Sequence, residues 1–152
     1  MDYLTMAEDF VRTVKDLNKS SFMMDFNRYS KGEMLVLNYL YKHADEQVVP
    51  SMLSQYTETS SARIATILGS LEDQDYVTRN IDKKDRRKIL VNITEKGRAF
   101  AHCYHDQMLN HLASVLERMG PVNSQEFLKH LKVFAEIGEE VLLENRKGEK
   151  NA

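Results

Sequence analysis

Residues 81–97 read Ile81-Asp82-Lys83-Lys84-Asp85-Arg86-Arg87-Lys88-Ile89-Leu90-Val91-Asn92-Ile93-Thr94-Glu95-Lys96-Gly97, a cationic tip followed by an alternating aliphatic run. Ile89, Val91 and Ile93 would share one face of a β-strand, because successive strand residues point to opposite faces. Residues 76–81, on the other side of the tip, are also strand-like. This pattern predicts a β-hairpin with a positively charged turn.

A helix with a polar start comes directly before this hairpin. Thr59 or Ser60 can cap it, because side-chain oxygens accept the free N–H groups of a first helical turn. Its buried stripe, at helical spacing, is formed by Ile64, Ile67, Leu68 and Leu71. A DNA major groove accepts one α-helix, and the outward face of this helix presents short hydroxyls and one long cation. These candidate DNA-contacting residues are Ser60, Ser61, Arg63, Thr66 and Ser70.

Helical periodicity covers most of the remaining chain. It predicts a first helix up to about Met23, a second helix capped by Ser30 and a short third helix that starts at Pro50. After the hairpin, it predicts a long helix capped by Thr94 and a last helix from Asn123. The predicted order is three helices, a recognition helix, a hairpin and two long helices. This order indicates a winged helix-turn-helix.

The expected fold class is therefore mainly α with a small β hairpin (α+β), a winged helix-turn-helix flanked by N- and C-terminal dimerisation helices. We expect a single domain over residues 1–152. Within it, residues 30–98 would form the DNA-binding lobe, and residues 1–29 and 99–145 a helical dimerisation region. The apolar stripes of the terminal helices fit an ordinary core as well as a dimer interface.

The composition supports one local contact with a polyanion. The chain has 152 residues, 42% hydrophobic and 29% charged, which suits a single domain with a core. The net charge is −2, but residues 79–98 hold eight Lys or Arg and three acids, a local charge of +5. The remainder therefore carries −7, which argues against a protein that coats nucleic acid nonspecifically.

Nothing in the sequence indicates export or a membrane. Cys103 is the single cysteine, so an intrachain disulfide is impossible. The N-terminus lacks a basic region followed by an apolar run, and no apolar run approaches the ~18 residues of a membrane span. We expect a cytoplasmic protein without a cofactor.

The hairpin and the residues before it resemble the MarR family of bacterial transcriptional regulators. That family carries an Asp-x-x-Asp-x-Arg-type wing, then alternating aliphatics and Leu-Thr-x-x-Gly, which correspond here to residues 82–87 and 89–97. Leu71-Glu72-Asp73-Gln74-Asp75-Tyr76-Val77 is similar to the family's Leu-Glu-x-x-Gly-Leu-Val. The resemblance implies a homodimer that binds double-stranded DNA at a pseudo-palindromic operator, as a ligand-responsive repressor.

Four residues, at three places in the chain, depart from the family pattern. Asp75 stands where the family usually has glycine, and Thr57-Glu58 stands where Leu-Gly is common between the two helices of the motif. Thr66 stands where a basic residue is frequent, so one phosphate or base contact would be missing.

The resemblance also implies roles within the wing. Asp85 would hold Arg87 toward the minor groove, whose negative potential attracts arginine. Lys83, Lys84 and Arg86 would contact phosphates. The alternative is a solvated hairpin tip, which is what a run of charges usually forms.

MarR-like regulators often bind a small aromatic or phenolic effector where the dimerisation helices meet the DNA-binding lobe. The aromatic residues that could line such a pocket here are Phe22, Phe26, Tyr29, Tyr39 and Tyr41. The same residues would equally serve as ordinary core.

Two rival functions share this fold. His102, His105 and Asp106 have the i, i+3 and i+4 spacing that allows them to face one ion, which would make the protein a zinc-responsive regulator. A non-regulatory winged-helix interaction module is the other alternative. An enzyme is not expected, because the chain has no Gly-rich phosphate loop, nucleophile motif or paired carboxylates.

Overall fold

The computed structural model describes residues 2–150. Within that range the chain forms seven helices and a two-stranded antiparallel hairpin, which confirms the expected fold class. In chain order the elements are α1 (Tyr3–Leu17), α2 (Ser21–Ser30), α3 (Gly32–Lys42), α4 (Pro50–Thr57), α5 (Ser61–Asp73), β1 (Val77–Ile81), β2 (Ile89–Ile93), α6 (Glu95–Met119) and α7 (Pro121–Lys150). None of the described helices combines the length and the apolarity that crossing a membrane demands.

The chain divides into two compact units, Met1–Met108 and Leu109–Ala152. The first unit contains the core. Helix α3 lies at its centre and packs against α2, α4, α5 and β2. The fully buried large side chains are Val36, Leu37, Leu40, Val48, Leu53, Ile64, Leu68, Leu71, Val77 and Val91. Each buried Leu or Ile contributes about 1.5–3 kcal/mol relative to an exposed one, so this core fixes α5 and the hairpin on one scaffold.

The hairpin follows the alternation predicted from its sequence. Val77 pairs with Ile93 and Ile81 with Ile89. Val91 is fully buried, and its N–H donates to the Val48 carbonyl at 2.8 Å. The extended segment before α4 therefore pairs with β2 through a single isolated β-bridge, between Val48 and Val91.

Three helix boundaries differ from the sequence-based expectation. The first helix ends at Leu17, and a separate α2 begins after Ser20, whose Oγ accepts the Met23 N–H at 3.2 Å. Ser30 does not cap α3, because its hydroxyl donates to the Phe26 carbonyl at 2.8 Å and α3 begins two residues later. The last helix starts at Pro121 instead of Asn123, since proline fits the first turn of a helix without losing a hydrogen bond.

Two of the departures from the family pattern coincide with left-handed backbone. Glu58 (φ 52°) ends α4, and Asp75 (φ 59°) lies between α5 and β1. Non-glycine residues pay about 1–2 kcal/mol in this region. These turns therefore keep the shape that glycine usually provides, at a cost in stability.

We expect Glu58→Gly to stabilise the protein by about 1 kcal/mol, because glycine adopts positive φ without strain. Urea unfolding of the parent and the variant measures the difference. Glu58→Ala is the matched control: it removes the same carboxylate but keeps a Cβ, and should show no comparable gain. Equal stabilisation in both variants would attribute the effect to charge instead of backbone strain.

The second unit contains the C-terminal part of α6 and all of α7. The two helices meet at Gly120 (φ 81°), and the Ser124 hydroxyl donates to the Leu116 carbonyl at 2.6 Å across the corner. Large apolar side chains along α7 remain about half exposed, among them Leu128, Leu131, Ile137, Val141 and Leu142.

Candidate nucleic-acid interface

Helix α5 presents its N-terminal turn to solvent. Ser60 is the N-cap, and its Oγ accepts the Arg63 N–H at 3.2 Å. Of the two predicted caps, Thr59 and Ser60, the structure therefore uses Ser60. Ser61 and Arg63 are exposed. The predicted apolar stripe is the buried face: Ile64, Ile67, Leu68 and Leu71. The start of α5 is therefore free for an outside partner while the rest of the helix is held by the core.

The other two candidates on this helix already have hydrogen bonds. The Thr66 hydroxyl donates to the Ala62 carbonyl at 3.1 Å. The half-buried Ser70 accepts a hydrogen bond from the Gln74 side-chain amide at 3.3 Å. Arg63 is thus the long cation of this face, and its guanidinium has no hydrogen bond or ion pair within the described part of the chain.

The wing tip, residues 82–88, is a turn closed by its own backbone. The Asp82 N–H donates to the Lys88 carbonyl, and the Lys88 N–H to the Asp85 carbonyl, both at 2.9 Å. The tip holds five cations and two acids, a net charge of +3. The cations Lys83, Lys84, Arg86, Arg87 and Lys88 are all exposed, and none forms an ion pair with a described residue. The cluster is therefore available to a polyanion.

The carboxylates of the two acidic residues in the wing tip accept hydrogen bonds from backbone N–H groups. Asp85 Oδ1 accepts the Arg87 N–H at 3.0 Å, and Asp82 Oδ1 accepts the Lys84 N–H at 2.9 Å. The resemblance implies that Asp85 holds the Arg87 side chain, but in the structure Asp85 accepts the Arg87 backbone N–H, and both residues lie in the turn and not on β2. Asp85 shapes the loop that carries Arg87, and the Arg87 guanidinium has no hydrogen bond or ion pair with any residue that the structure describes.

An ion pair links the hairpin to the recognition helix. Arg79 on β1 donates through both Nε and a terminal nitrogen to one oxygen of Glu72 on α5, with the Nε contact at 2.9 Å. These hydrogen bonds lower the pKa of the Glu72 carboxyl below its usual value. This pair was not predicted from the sequence. The signal that could have indicated it is two opposite charges seven residues apart across a helix–strand turn.

The base of the hairpin is tied to the start of α6. The Thr94 hydroxyl lies 2.6 Å from the Asp75 carbonyl oxygen and also accepts the Gly97 N–H at 3.0 Å, as expected of a helix cap. The Thr94 N–H donates to the Tyr76 carbonyl at 3.0 Å. Lys96 donates to the Gln74 carbonyl at 2.8 Å and lies over the Tyr76 ring. These contacts fix the angle at which the wing leaves the core.

An open groove of about 530 Å³ lies beside the recognition helix. One wall is aromatic and another is basic; the residues that decide its chemistry are Tyr76, Phe100, Tyr104, Arg28, Lys31 and Arg63. Tyr76 and Phe100 stack with centroids 4.6 Å apart. Glu33 is the acid in the lining. Arg63 therefore belongs both to this groove and to the exposed start of α5.

None of the five aromatic residues predicted for an effector pocket lines this groove. Tyr29 stacks on the lining residue Tyr104, and burial raises the pKa of its hydroxyl. Tyr39 packs against His43 and Tyr56, and Tyr41 meets His102 edge to face. The remaining two, on α2, are the half-buried Phe22 and Phe26.

The structure does not assemble the predicted zinc ligands. His102 Nδ1 lies 3.1 Å from Asp106 Oδ2, but His105 Nδ1 lies 2.5 Å from the Tyr29 hydroxyl, so it is engaged elsewhere. In the residues described, no three His, Cys, Asp or Glu side chains come close enough to hold a metal ion. The zinc alternative therefore lacks a ligand set in this structure.

Together, a capped helix with a free polar start and a cationic hairpin on one rigid core define a winged helix-turn-helix. Residues 33–112, more than half of the chain, match the family described as "Winged helix DNA-binding domain". The chain belongs to this family.

Individual relatives agree with this assignment. The HTH-type transcriptional repressor YetL of Bacillus subtilis (strain 168) is 24% identical over 102 residues. That match covers 67% of this chain but only 61% of YetL, so the chain spans less than two thirds of that relative.

Solved structures match over most of the chain. Streptococcus pneumoniae FabT in complex with DNA is similar with a TM-score of 0.67 and 18% identity, covering 92% of this chain and 99% of FabT. Staphylococcus aureus MepR, a transcription regulator of a multidrug efflux pump, also reaches a TM-score of 0.67, at 12% identity over 84% of this chain and 94% of MepR. These neighbours are MarR-family regulators, so the resemblance read from the hairpin is confirmed at the level of the fold.

Proposed function

We propose that the protein is a cytoplasmic transcriptional regulator that binds double-stranded DNA as a homodimer and represses the genes behind its operator. The observation that carries this proposal is the pairing of two free cationic elements on one scaffold: Arg63 at the start of α5, and the unpaired cations of the wing tip. It acts by binding and not by turnover.

Each element has a distinct task in this proposal. Helix α5 enters a major groove with its N-terminus first, where Ser60, Ser61 and Arg63 meet phosphates and base edges. The wing reaches along the backbone to the adjacent minor groove, with Arg87 in the groove and its neighbours on phosphates. Thr66 and Ser70 contribute less than predicted, because the Thr66 hydroxyl donates its proton to the Ala62 carbonyl and Ser70 is half-buried beside Gln74.

The homodimer is proposed from the exposed apolar surface of the terminal helices. Leu4 and Val11 on α1 are 78% and 64% exposed, and Leu131 and Ile137 on α7 are 51% and 52% exposed. Amphipathic helices with this much apolar surface in water are typical of protein–protein interfaces. A twofold dimer would carry two recognition helices, matched to a pseudo-palindrome.

Selection of bound duplexes from a random DNA pool tests this function directly. We expect enrichment of a pseudo-palindrome with half-sites centred roughly 10–10.5 base pairs apart or a multiple of that spacing. Sedimentation should give the mass of two chains, and the selected operator placed across a reporter promoter should lower its output. An unenriched pool would contradict DNA recognition, and a single half-site bound by one chain would contradict the dimer.

We also propose that the groove beside α5 holds the effector, and that this effector is a small aromatic anion. Stacked rings and three cations in one lining suit a phenol or benzene ring that bears a carboxylate. A ligand that pairs with Arg63 withdraws the same guanidinium from DNA, so occupancy would weaken operator binding.

A probe compound can test this pocket. We expect 4-hydroxybenzoate to raise the thermal midpoint of the protein and to lower its affinity for the operator. 4-Hydroxybenzamide, which keeps the hydroxyl-bearing ring but lacks the carboxylate charge, is the matched control and should do neither. Unchanged responses to 4-hydroxybenzoate in an Arg28→Ala, Lys31→Ala double variant would contradict the placement of the anion in this groove.

A further inference from the structure

The inner face of the hairpin continues past the core as an exposed apolar pair. Val77, Arg79 and Ile81 share one face of β1, and their partners on β2 are Ile93, Val91 and Ile89. The first of these pairs is buried, and Arg79 is bound to Glu72 of α5. The last pair, Ile81 with Ile89, is 66% and 47% exposed. Two large aliphatic side chains thus face each other in water at the outer end of the strands.

This pair lies directly beside the cationic tip. Asp82 and Lys88, hydrogen-bonded through their backbones, form the next rung of the hairpin. Strand residues are spaced about 3.3 Å apart, so the cations of residues 83–88 lie within a few residue lengths of the two isoleucines. A polyanion held by those cations would therefore lie within reach of the isoleucine pair.

We propose that the Ile81–Ile89 pair is a DNA contact of its own, which packs against the apolar deoxyribose wall of the minor groove between phosphates held by the wing tip. The inference rests on the DNA binding proposed above. Between the phosphates of each strand, the sugars present C–H groups, and apolar side chains are a known means of engaging the minor groove. Two observations favour DNA as the occupant. The adjacent tip is positively charged, and the Arg79–Glu72 ion pair joins the hairpin to α5.

This contact differs from those of the cations in one measurable way. A lysine or arginine on a phosphate releases a counterion, so its loss reduces the salt dependence of binding by about one unit of slope. An aliphatic contact releases none. Loss of the isoleucine pair should therefore weaken binding equally at every salt concentration.

The experiment is an anisotropy titration on the selected operator at several NaCl concentrations, with Ile81→Thr, Ile89→Thr as the test variant. Threonine keeps the β-branched shape that strands prefer. We expect Kd to rise about three- to tenfold with an unchanged salt slope, and an unchanged thermal midpoint because both side chains are exposed. Ile81→Val, which keeps an apolar contact, should bind nearly as the parent. Lys84→Ala is the contrasting control, with a reduced slope.

Parent-like affinity in the folded double variant would overturn the proposal. So would loss of self-association in that variant, because the pair would then contact a second copy of this chain. If the double variant failed to fold, the single Ile81→Thr change, at the more exposed residue, would give the same readout. A parent that bound no duplex would overturn the proposed function itself, which separates the two failures.

Discussion

Replacing Gly97 with alanine should destabilise the protein by about 3 kcal/mol or more, beyond the usual range for overpacking. A Cβ at this position would lie 2.1 Å from the carbonyl oxygen of Tyr76 and 3.0 Å from Ile93 Cγ1. The Tyr76 oxygen cannot yield easily, because it accepts the Thr94 N–H that joins the hairpin to α6. Either the hairpin base or the first turn of α6 must move.

Urea unfolding measures this loss, and Gly69→Ala is a control of opposite sign. Gly69 lies inside α5, where an added Cβ meets nothing within 4 Å. Alanine there should stabilise by about 1 kcal/mol through helix propensity. A Gly97→Ala variant as stable as the parent would show that the close approach of α6 to Tyr76 is absent in solution.

Replacing Arg87 with alanine should weaken operator binding by about 1–3 kcal/mol for each wing, which is roughly 5- to 150-fold in Kd per wing and the square of that factor for a dimer that uses both wings. Stability should not change, because the side chain is exposed and the Arg87 N–H that Asp85 accepts is retained in alanine. Fluorescence anisotropy with the selected duplex measures affinity, and thermal unfolding checks the fold.

Arg146→Ala is the matched control for this substitution. It removes the same charge from an exposed position on α7, outside the residues proposed to contact DNA. It should leave operator affinity within about twofold, because Arg146 is not among the residues proposed to contact DNA. If both arginine variants lost affinity equally, the wing would be acting only through net charge, and Arg87 would have no special place in the groove.

Much of the fold could be predicted from local hydrophobic patterns in the sequence. The stripe at Ile64, Ile67, Leu68 and Leu71 and the alternation along β2 each follow from a repeat that the backbone imposes, and the structure confirms both. The positions where the family has glycine also point to left-handed backbone, which Glu58 and Asp75 adopt. Such features depend only on neighbours in the chain.

The break between α1 and α2 was harder to read. Residues 18–20 contain neither proline nor glycine, and an apolar periodicity runs on past them. Ser20 is the remaining signal, and a serine within a helical pattern is common enough to be passed over. Helix ends set by caps alone are poorly visible in a hydrophobic pattern.

Features of the site that depend on tertiary structure were not accessible in the same way. The groove brings Arg28, Lys31 and Arg63 together with the ring of Tyr76, just before β1, and with rings from α6, and no spacing rule relates these residues. The contact that Asp85 makes could not be predicted from spacing, because in a turn a carboxylate reaches its own backbone more readily than a neighbouring side chain. Likewise, the histidine spacing on α6 could not reveal that Tyr29 takes His105.

The two aspartates of the wing tip have a consequence for the thermodynamics of association. Ordering a flexible residue costs about 1–2 kcal/mol of backbone entropy, and a bare seven-residue loop would incur that cost when it met its partner. Here Asp82 and Asp85 hold the loop's own N–H groups before any encounter. The entropic cost of ordering the loop is therefore incurred during folding and not on binding. More of the free energy of each cation–phosphate contact then contributes to the binding affinity.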